Sequence, residues 1–256
     1  MSTWNLTRKQ KKVDYPCKLY NTVLESIDSE RDLGVWTSSN LTWTKHVECQ
    51  CAQANKMLGY IRRSTLDIKA ISVRRTLYLS LVRSQLCYGS QVWAPQSVNL
   101  IKRIERVQRR ATKFILDLPF FCEISYNQRL DMLDLIPVCY WHEFLDMVFF
   151  FKCINGILVI NNELTPAIQN RGRATRSADP NCLMFKTKRC RTATYQKSFL
   201  TRSTRVWNIL PKDLTHKNTT INGFKSGLLK YYKTTLENVY NPDDSRTWKS
   251  ICLCCS

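Results

Sequence analysis

Residues Leu77–Leu118, LYLSLVRSQLCYGSQVWAPQSVNLIKRIERVQRRATKFILDL, read as a helix, an elbow and a second helix. The first helix runs from an N-cap at Asp67 to Cys87. Ile71, Leu77, Tyr78, Leu81, Val82 and Leu86 form its packing side. Gly89 breaks it and Pro95 closes the elbow, with Val92 and Trp93 between them as an apolar plug. Ser97 then caps a helix whose apolar positions are Ile101, Ile104, Val107, Ala111, Phe114 and Ile115. Its other positions hold Lys102, Arg103, Arg106, Arg109, Arg110 and Lys113, with Glu105 the one acid among them. Residues 102, 106, 109 and 113 follow at steps of four, three and four, which puts them on one side of a helix. The pattern is a basic ridge on an apolar keel.

The whole chain shares the bias. Its 256 residues carry 39 basic and 20 acidic side chains, a net charge of +19. Such an excess attracts polyanions, nucleic acid first and an anionic membrane surface second. Hydrophobic residues at 44% and aromatics at 11% describe a chain that buries a core, not a disordered tail. The N-terminal MSTWNLTRKQKKVDY has no apolar core and does not read as a secretory signal. The most apolar run, Phe144 to Ile160, is interrupted by Asp146, Lys152, Asn155 and Gly156, so it reads as a buried helix and not as a membrane span. The 12 cysteines are mostly single residues on apolar faces, structural thiols of a reducing compartment. An intracellular location, nucleus or cytoplasm, is expected.

Outward from the opening stretch, residues 1–16 are polar and read as loose. Lys18–Leu24 and Asp32–Trp36 read as strands, with Asp28, Glu30 and Asp32 in a solvated turn. Thr42 caps a helix to Arg63, on which Val47, Cys51, Ala54, Leu58 and Ile61 are spaced four, three, four and three and which exits on Arg62 and Arg63. Beyond the ridge, Ser125 and Gln128 have capping-box spacing for a short helix through Leu133. Pro137 suits the first turn of a helix that Asn155-Gly156 ends; with Tyr140, Trp141, Phe144, Leu145, Val148, Phe149 and Phe151 it is apolar nearly all round. Residues 171–191 read as a basic linker or exposed loop, or alternatively as a β-hairpin within Cys182–Gln196 that pairs Leu183, Phe185 and Tyr195. Two further helices follow, Phe199–Leu210, closed by Pro211, and Asn222–Leu236. The fold class is mainly α, a helical bundle with a small N-terminal β-hairpin and a smaller, mostly helical C-terminal region.

In this order the motifs are DLGV (Asp32–Val35), LTW..HV (Leu41–Val47), NK.LG.IRR (Asn55–Arg63), LY.SLVRS.L.YGS.VW.P (Leu77–Pro95) and I..IE.VQRRATK.I (Ile101–Ile115). SY..RL..L.L (Ser125–Leu135) and R..R.WN.LP (Arg202–Pro211) complete them. Together they resemble the non-LTR, jockey-like (LINE-type) retrotransposon reverse transcriptases over residues 18–236. The resemblance implies the part of such an enzyme that follows the catalytic palm. Residues 1–40 would hold the last palm hairpin with a loose N-terminus, 41–165 a helical thumb, and 166–256 a C-terminal extension with a basic linker and cysteine-containing tail.

Catalysis in that family uses carboxylates on adjacent palm strands to hold two Mg²⁺ ions, presented as Tyr/Phe-x-Asp-Asp. Asp243-Asp244 is the one adjacent aspartate pair, and Asn241-Pro242 before it makes a turn. The chain is therefore expected to start downstream of the catalytic centre and to be inactive alone, although Mg²⁺ would serve the parent polymerase. His46, His142 and His216 lack a nucleophile pattern, and His46 reads as a capping or packing residue. Cys252 and Cys255 form a C-x2-C pair, half of a zinc site that Cys182, Cys190 or His216 could complete. A frayed terminus with incidental thiols is the competing reading.

The ridge has a bland reading, a solvated helix face, and a functional one. Acidic i,i+4 partners are almost absent, and arginine's planar fork suits phosphate. The nucleic-acid-binding set is Arg62, Arg63, Arg83, Lys102, Arg103, Arg106, Arg109, Arg110 and Lys113, with Tyr88 and Trp93 assigned to the core. As a thumb, this face would track the backbone of a template–primer duplex without reading bases. Trp141-His142 stand where relatives commonly have two arginines, which argues against that later helix as a binding face. Expected partners are an RNA template, an RNA–DNA or DNA duplex and the missing palm and fingers portion; no membrane is expected. The alternative to a truncated reverse transcriptase is a stand-alone, non-catalytic RNA- or DNA-binding protein derived from such an element.

Overall fold

The computed structural model describes residues 2–3, 18–119, 121–158, 183–187, 189–216 and 219–248. Its strands come first: β1 (Ser2–Thr3), β2 (Lys18–Leu19), β3 (Thr22–Val23), β4 (Glu25–Ser26), β5 (Ser29–Asp32) and β6 (Val35–Ser38). The helices are α1 (Thr44–Ser64), α2 (Ile71–Leu77), α3 (Ser84–Cys87), α4 (Ser90–Trp93), α5 (Val98–Ile115), α6 (Tyr126–Met132), α7 (Val138–Ile154), α8 (Ala193–Gln196), α9 (Phe199–Ile209) and α10 (Ile221–Val239). A π-turn, Tyr78–Arg83, joins α2 to α3 without a break, and a 3-10 turn, Ser245–Trp248, closes the described chain. The fold is mainly α with a small N-terminal hairpin.

Contacts group into two units: Met1–Gly89 with Lys102–Ile115, and Ser90–Ile101 with Leu116–Ser256. The sequence suggests a different, threefold division at 40 and 165.

In the first unit, β5 and β6 pair antiparallel, Asp32 opposite Val35, around a turn at Leu33 and Gly34 with φ of +46° and +85°. Positive φ at both central residues is the hairpin turn that matches strand twist. The expected turn at Asp28–Asp32 is thus corrected. Glu30 and Asp32 lie in a strand, and the stretch expected as a strand, Asp32–Trp36, contains the turn. Ser2–Thr3, expected to be loose, pairs with Glu25–Ser26.

Helix α1 is capped one residue later than expected. Thr42 is diverted, because its N–H and hydroxyl both donate to Asn40 Oδ1, at 3.1 and 2.8 Å, so Trp43 takes the N-cap position. Val47, Cys51, Ala54, Leu58 and Ile61 are buried as their spacing requires. The next helix starts at Ile71, not beside Asp67, and the reason is Arg74. Its Nε donates to Ile68 O at 2.7 Å and its Nη1 to Phe114 O at 2.9 Å, which holds the preceding residues as a loop against the end of α5. Tyr78, Val82 and Leu86 are fully buried, whereas Ile71 and Leu81, expected to pack, are exposed. The π-turn adds a residue to the helical ladder and rotates its two halves against each other, which a constant 3.6 period does not anticipate.

The second unit is built on α7. Ser125 caps α6 in a full capping box with Gln128, and Pro137 occupies the N-cap of α7, one position before the expected first turn. Gly156, at φ +67°, follows the end of α7 as expected. Around α7 lies an aromatic core. Phe151 stacks on Phe224 at 4.4 Å, and Phe150 meets Phe185 and Trp207 at 5.3 and 5.4 Å. Trp93 is fully buried against the edge of His142 at 5.3 Å, but Val92, its expected companion in the plug, is 62% exposed.

The alternative hairpin within Cys182–Gln196 is overturned. Tyr195 sits in α8, capped by the Thr192 hydroxyl, and Phe185 instead pairs with the Asn208 side chain. Asn208 accepts from the Phe185 N–H at 3.1 Å and donates to its carbonyl at 2.8 Å, while Trp207 Nε1 donates to Leu183 O at 2.9 Å. An amide side chain that satisfies both backbone groups of one residue replaces a strand partner. The rest of the expected linker, residues 171–182 and 188, lies outside the described residues.

Candidate nucleic-acid interface

Helix α5 divides cleanly. Ile101, Ile104, Val107, Ala111 and Ile115 are buried, and so are Glu105, Gln108 and Thr112; Gln108 Oε1 accepts from the Tyr78 hydroxyl at 2.6 Å. Lys102, Arg103, Arg106 and Arg110 are exposed, and Arg109, Lys113 and Phe114 are half-buried. At roughly 100° per residue, Lys102, Arg106, Arg109 and Lys113 share one outward row, while Arg103 and Arg110 lie about a quarter-turn away, on the side of α1.

There the partners come from another helix, whereas acidic i,i+4 neighbours on α5 are almost absent. Arg103 forms an ion pair with Glu48 of α1, and Arg110 donates to Asn55 Oδ1 at 3.1 Å. Glu48 and Asn55 stand seven residues apart on α1, as Arg103 and Arg110 do on α5. That matched spacing was the one signal in the sequence for these partners. Arg62 and Arg63 are exposed in the last turn of α1, where cations also suit the helix dipole. Arg83 differs from the rest of the set: it is half-buried at the end of the π-turn, and burial lowers its pKa, with Tyr78 and Cys87 beside it opposing that shift.

Tyr88, assigned to the core by sequence, is 58% exposed, and its hydroxyl donates to Leu33 O at 3.1 Å. It braces the hairpin turn. Trp93 is core, as expected. His142 is buried and Trp141 stacks on Phe144 at 4.7 Å, so this pair packs inward.

Several other reactive residues are tied into the fold. Asp244 holds Arg246, which lowers its carboxyl below the usual range, and the Asn241 carbonyl accepts from Trp248 Nε1 at 2.7 Å. The Asp243-Asp244 pair is therefore a turn, as expected. Buried His46 accepts the Trp36 N–H on Nδ1 at 3.2 Å, and burial pushes its pKa down to about 4, with Arg31 acting the same way. Burial likewise raises Cys51 to about 11 and Cys87 to about 12, values of unreactive thiols. No group of three or more metal-ligating side chains occurs among the described residues, and Cys182, Cys252 and Cys255 lie outside them. No described helix is long and apolar enough to cross a membrane.

Over 114 residues the chain is 27% identical to a Drosophila melanogaster protein described as "Probable RNA-directed DNA polymerase from transposon BS". The chain has a region related to a transposon reverse transcriptase. The alignment takes in 43% of this chain but 12% of the relative, so the chain spans a small part of the protein it matches. No family model and no solved structure matches it.

Proposed function

We propose that this chain is a nucleic-acid-gripping portion of a non-LTR, jockey-like reverse transcriptase, corresponding to the thumb and the region after it. The observation that carries this reading is the outward row of α5: Lys102, Arg106, Arg109 and Lys113 on one side of a helix whose opposite side is buried. A rigid row of cations, anchored by a packed keel, suits phosphates spaced along a duplex and reads no bases. Arg62, Arg63 and Arg110 extend the positive surface. RNA-directed DNA synthesis belongs to the parent enzyme in this reading. This chain brings no framed aspartate pair, because Asp244 is committed to Arg246.

The test is a fluorescence-anisotropy titration of the full chain with an RNA–DNA duplex at several salt concentrations. With about six phosphate contacts, log K is expected to fall with log salt at a slope near −5, without sequence preference. Absence of binding at low salt overturns the reading. A primer-extension assay with Mg²⁺ is expected to show no incorporation, and any incorporation would refute the assignment of catalysis to residues outside this stretch.

A further inference from the structure

A cleft of about 410 Å³ opens between α6, the 133–137 connection and α10, all within the second unit. That volume lies in the range of ligand sites, about 300–1,000 Å³. Its floor is apolar and buried, formed by Leu130, Ile136 and Leu236. Its rim carries three carboxylates, Asp131, Asp134 and Glu237, against one cation, Lys233, which pairs with Asp134. In a chain of net charge +19 this is a local reversal of sign.

Two of the carboxylates also stand where helix electrostatics disfavours them. Asp131 lies in the last turn of α6, which also holds Arg129, and Glu237 in the last turn of α10, which has no basic residue. Helix C-termini carry partial negative charge and favour cations. No ion pair offsets Asp131 or Glu237 among the described residues. Asn127 Oδ1, in the same wall, is buried and accepts no hydrogen bond from the described residues. The wall therefore presents carboxylates over an apolar floor, and Glu237 stands at a helix end where a cation is favoured. Local rules of this kind are broken most often at functional positions.

We propose that this cleft docks a basic peptide segment of a protein partner, seating an apolar side chain on Leu130, Ile136 and Leu236 and a lysine or arginine between Asp131 and Glu237. The occupant is cationic because three carboxylates stand on the rim against one lysine, and amphipathic because the floor is apolar. The inference is independent of nucleic-acid binding, which uses the opposite charge on other elements.

The experiment is anisotropy of the nucleic-acid-free full chain with a labelled peptide that alternates leucine with lysine, at physiological ionic strength. Saturable binding is expected, lost when the lysines are acetylated or replaced by glutamate, and weakened roughly tenfold in D131N/E237Q. Both positions are exposed, so the double variant keeps the fold, which circular dichroism verifies. Ile136→Trp, which fills the floor, is a second variant expected to block binding, whereas R106A/R109A/R110A is expected to leave it unchanged. Equal affinity for the acetylated peptide, or unchanged affinity in D131N/E237Q, overturns the proposal. Self-association abolished by the same substitutions would assign the cleft to a second copy and overturn it too.

Discussion

Arg202 Nε donates to Asp146 Oδ2 at 2.7 Å, and Asp146 is 2% exposed. The guanidinium also donates to Lys197 O and Gln91 O, both at 3.0 Å, so one side chain ties α9, α7 and α4 together. Burial raises the Asp146 carboxyl, and Arg202 opposes that rise. Removing one partner of a buried pair leaves an uncompensated charge, which costs about 3–5 kcal/mol. Arg202→Ala is expected to lower stability by that order in urea unfolding. D146L/R202M is expected to recover much of the loss, because neither charge then remains.

Asn208 is expected to govern whether residues 183–187 stay docked. Asn208→Ala deletes both hydrogen bonds to Phe185 and strands two backbone groups, a loss of about 1–3 kcal/mol. Faster amide exchange at Phe185, with α7 protection retained, would support this. Unchanged exchange would show that the Phe185 ring alone holds the segment.

His46 makes stability pH-dependent. Its folded pKa of about 4 lies below the ordinary imidazole value of about 6.5, so the unfolded chain binds the extra proton between these values. Stability is therefore full above about 6.5 and falls as pH drops towards 4, by roughly 1–3 kcal/mol. Urea midpoints across this window are expected to shift less in His46→Gln than in the native chain.

The two sides of the ridge are expected to behave differently. Arg106 is exposed in the outward row, so Arg106→Ala should reduce the salt slope by about 0.9, one phosphate contact. Arg103 is already paired with Glu48, so Arg103→Ala should reduce it less and Glu48→Gln should tighten binding at low salt. Equal effects of Arg103→Ala and Arg106→Ala would contradict this partition.

Gly34 sits at φ +85°, and a Cβ there would stand 3.3 Å from Tyr88 Cε1. Gly34→Ala is expected to cost about 1 kcal/mol or more, measured as a lower urea midpoint, since strain and contact act together. Tyr88→Phe, which deletes the bond to Leu33, should weaken the same hairpin by less.

The sequence by itself determined where the long helices run and most of the stripe each buries, but not the start of α2, its exposed Ile71, or α8. Local signals suffice for that: the periodic Val47–Ile61 face, the Ser125–Gln128 capping box, the all-round apolar α7 and the Gly89 and Gly156 stops each act within a few residues. The basic row of α5 was legible for the same reason. Tertiary structure alone decided what neutralises or diverts those side chains. Glu48 reaches Arg103 across 55 positions, Arg74 reaches Phe114 across 40, and Arg202 reaches Gln91 across 111. It also set the π-turn, placed Tyr88 on the hairpin and gathered Asp131 with Glu237 around one cleft. Periodicity reports one helix's inside and outside, whereas a partner far along the chain is chosen only when two faces meet.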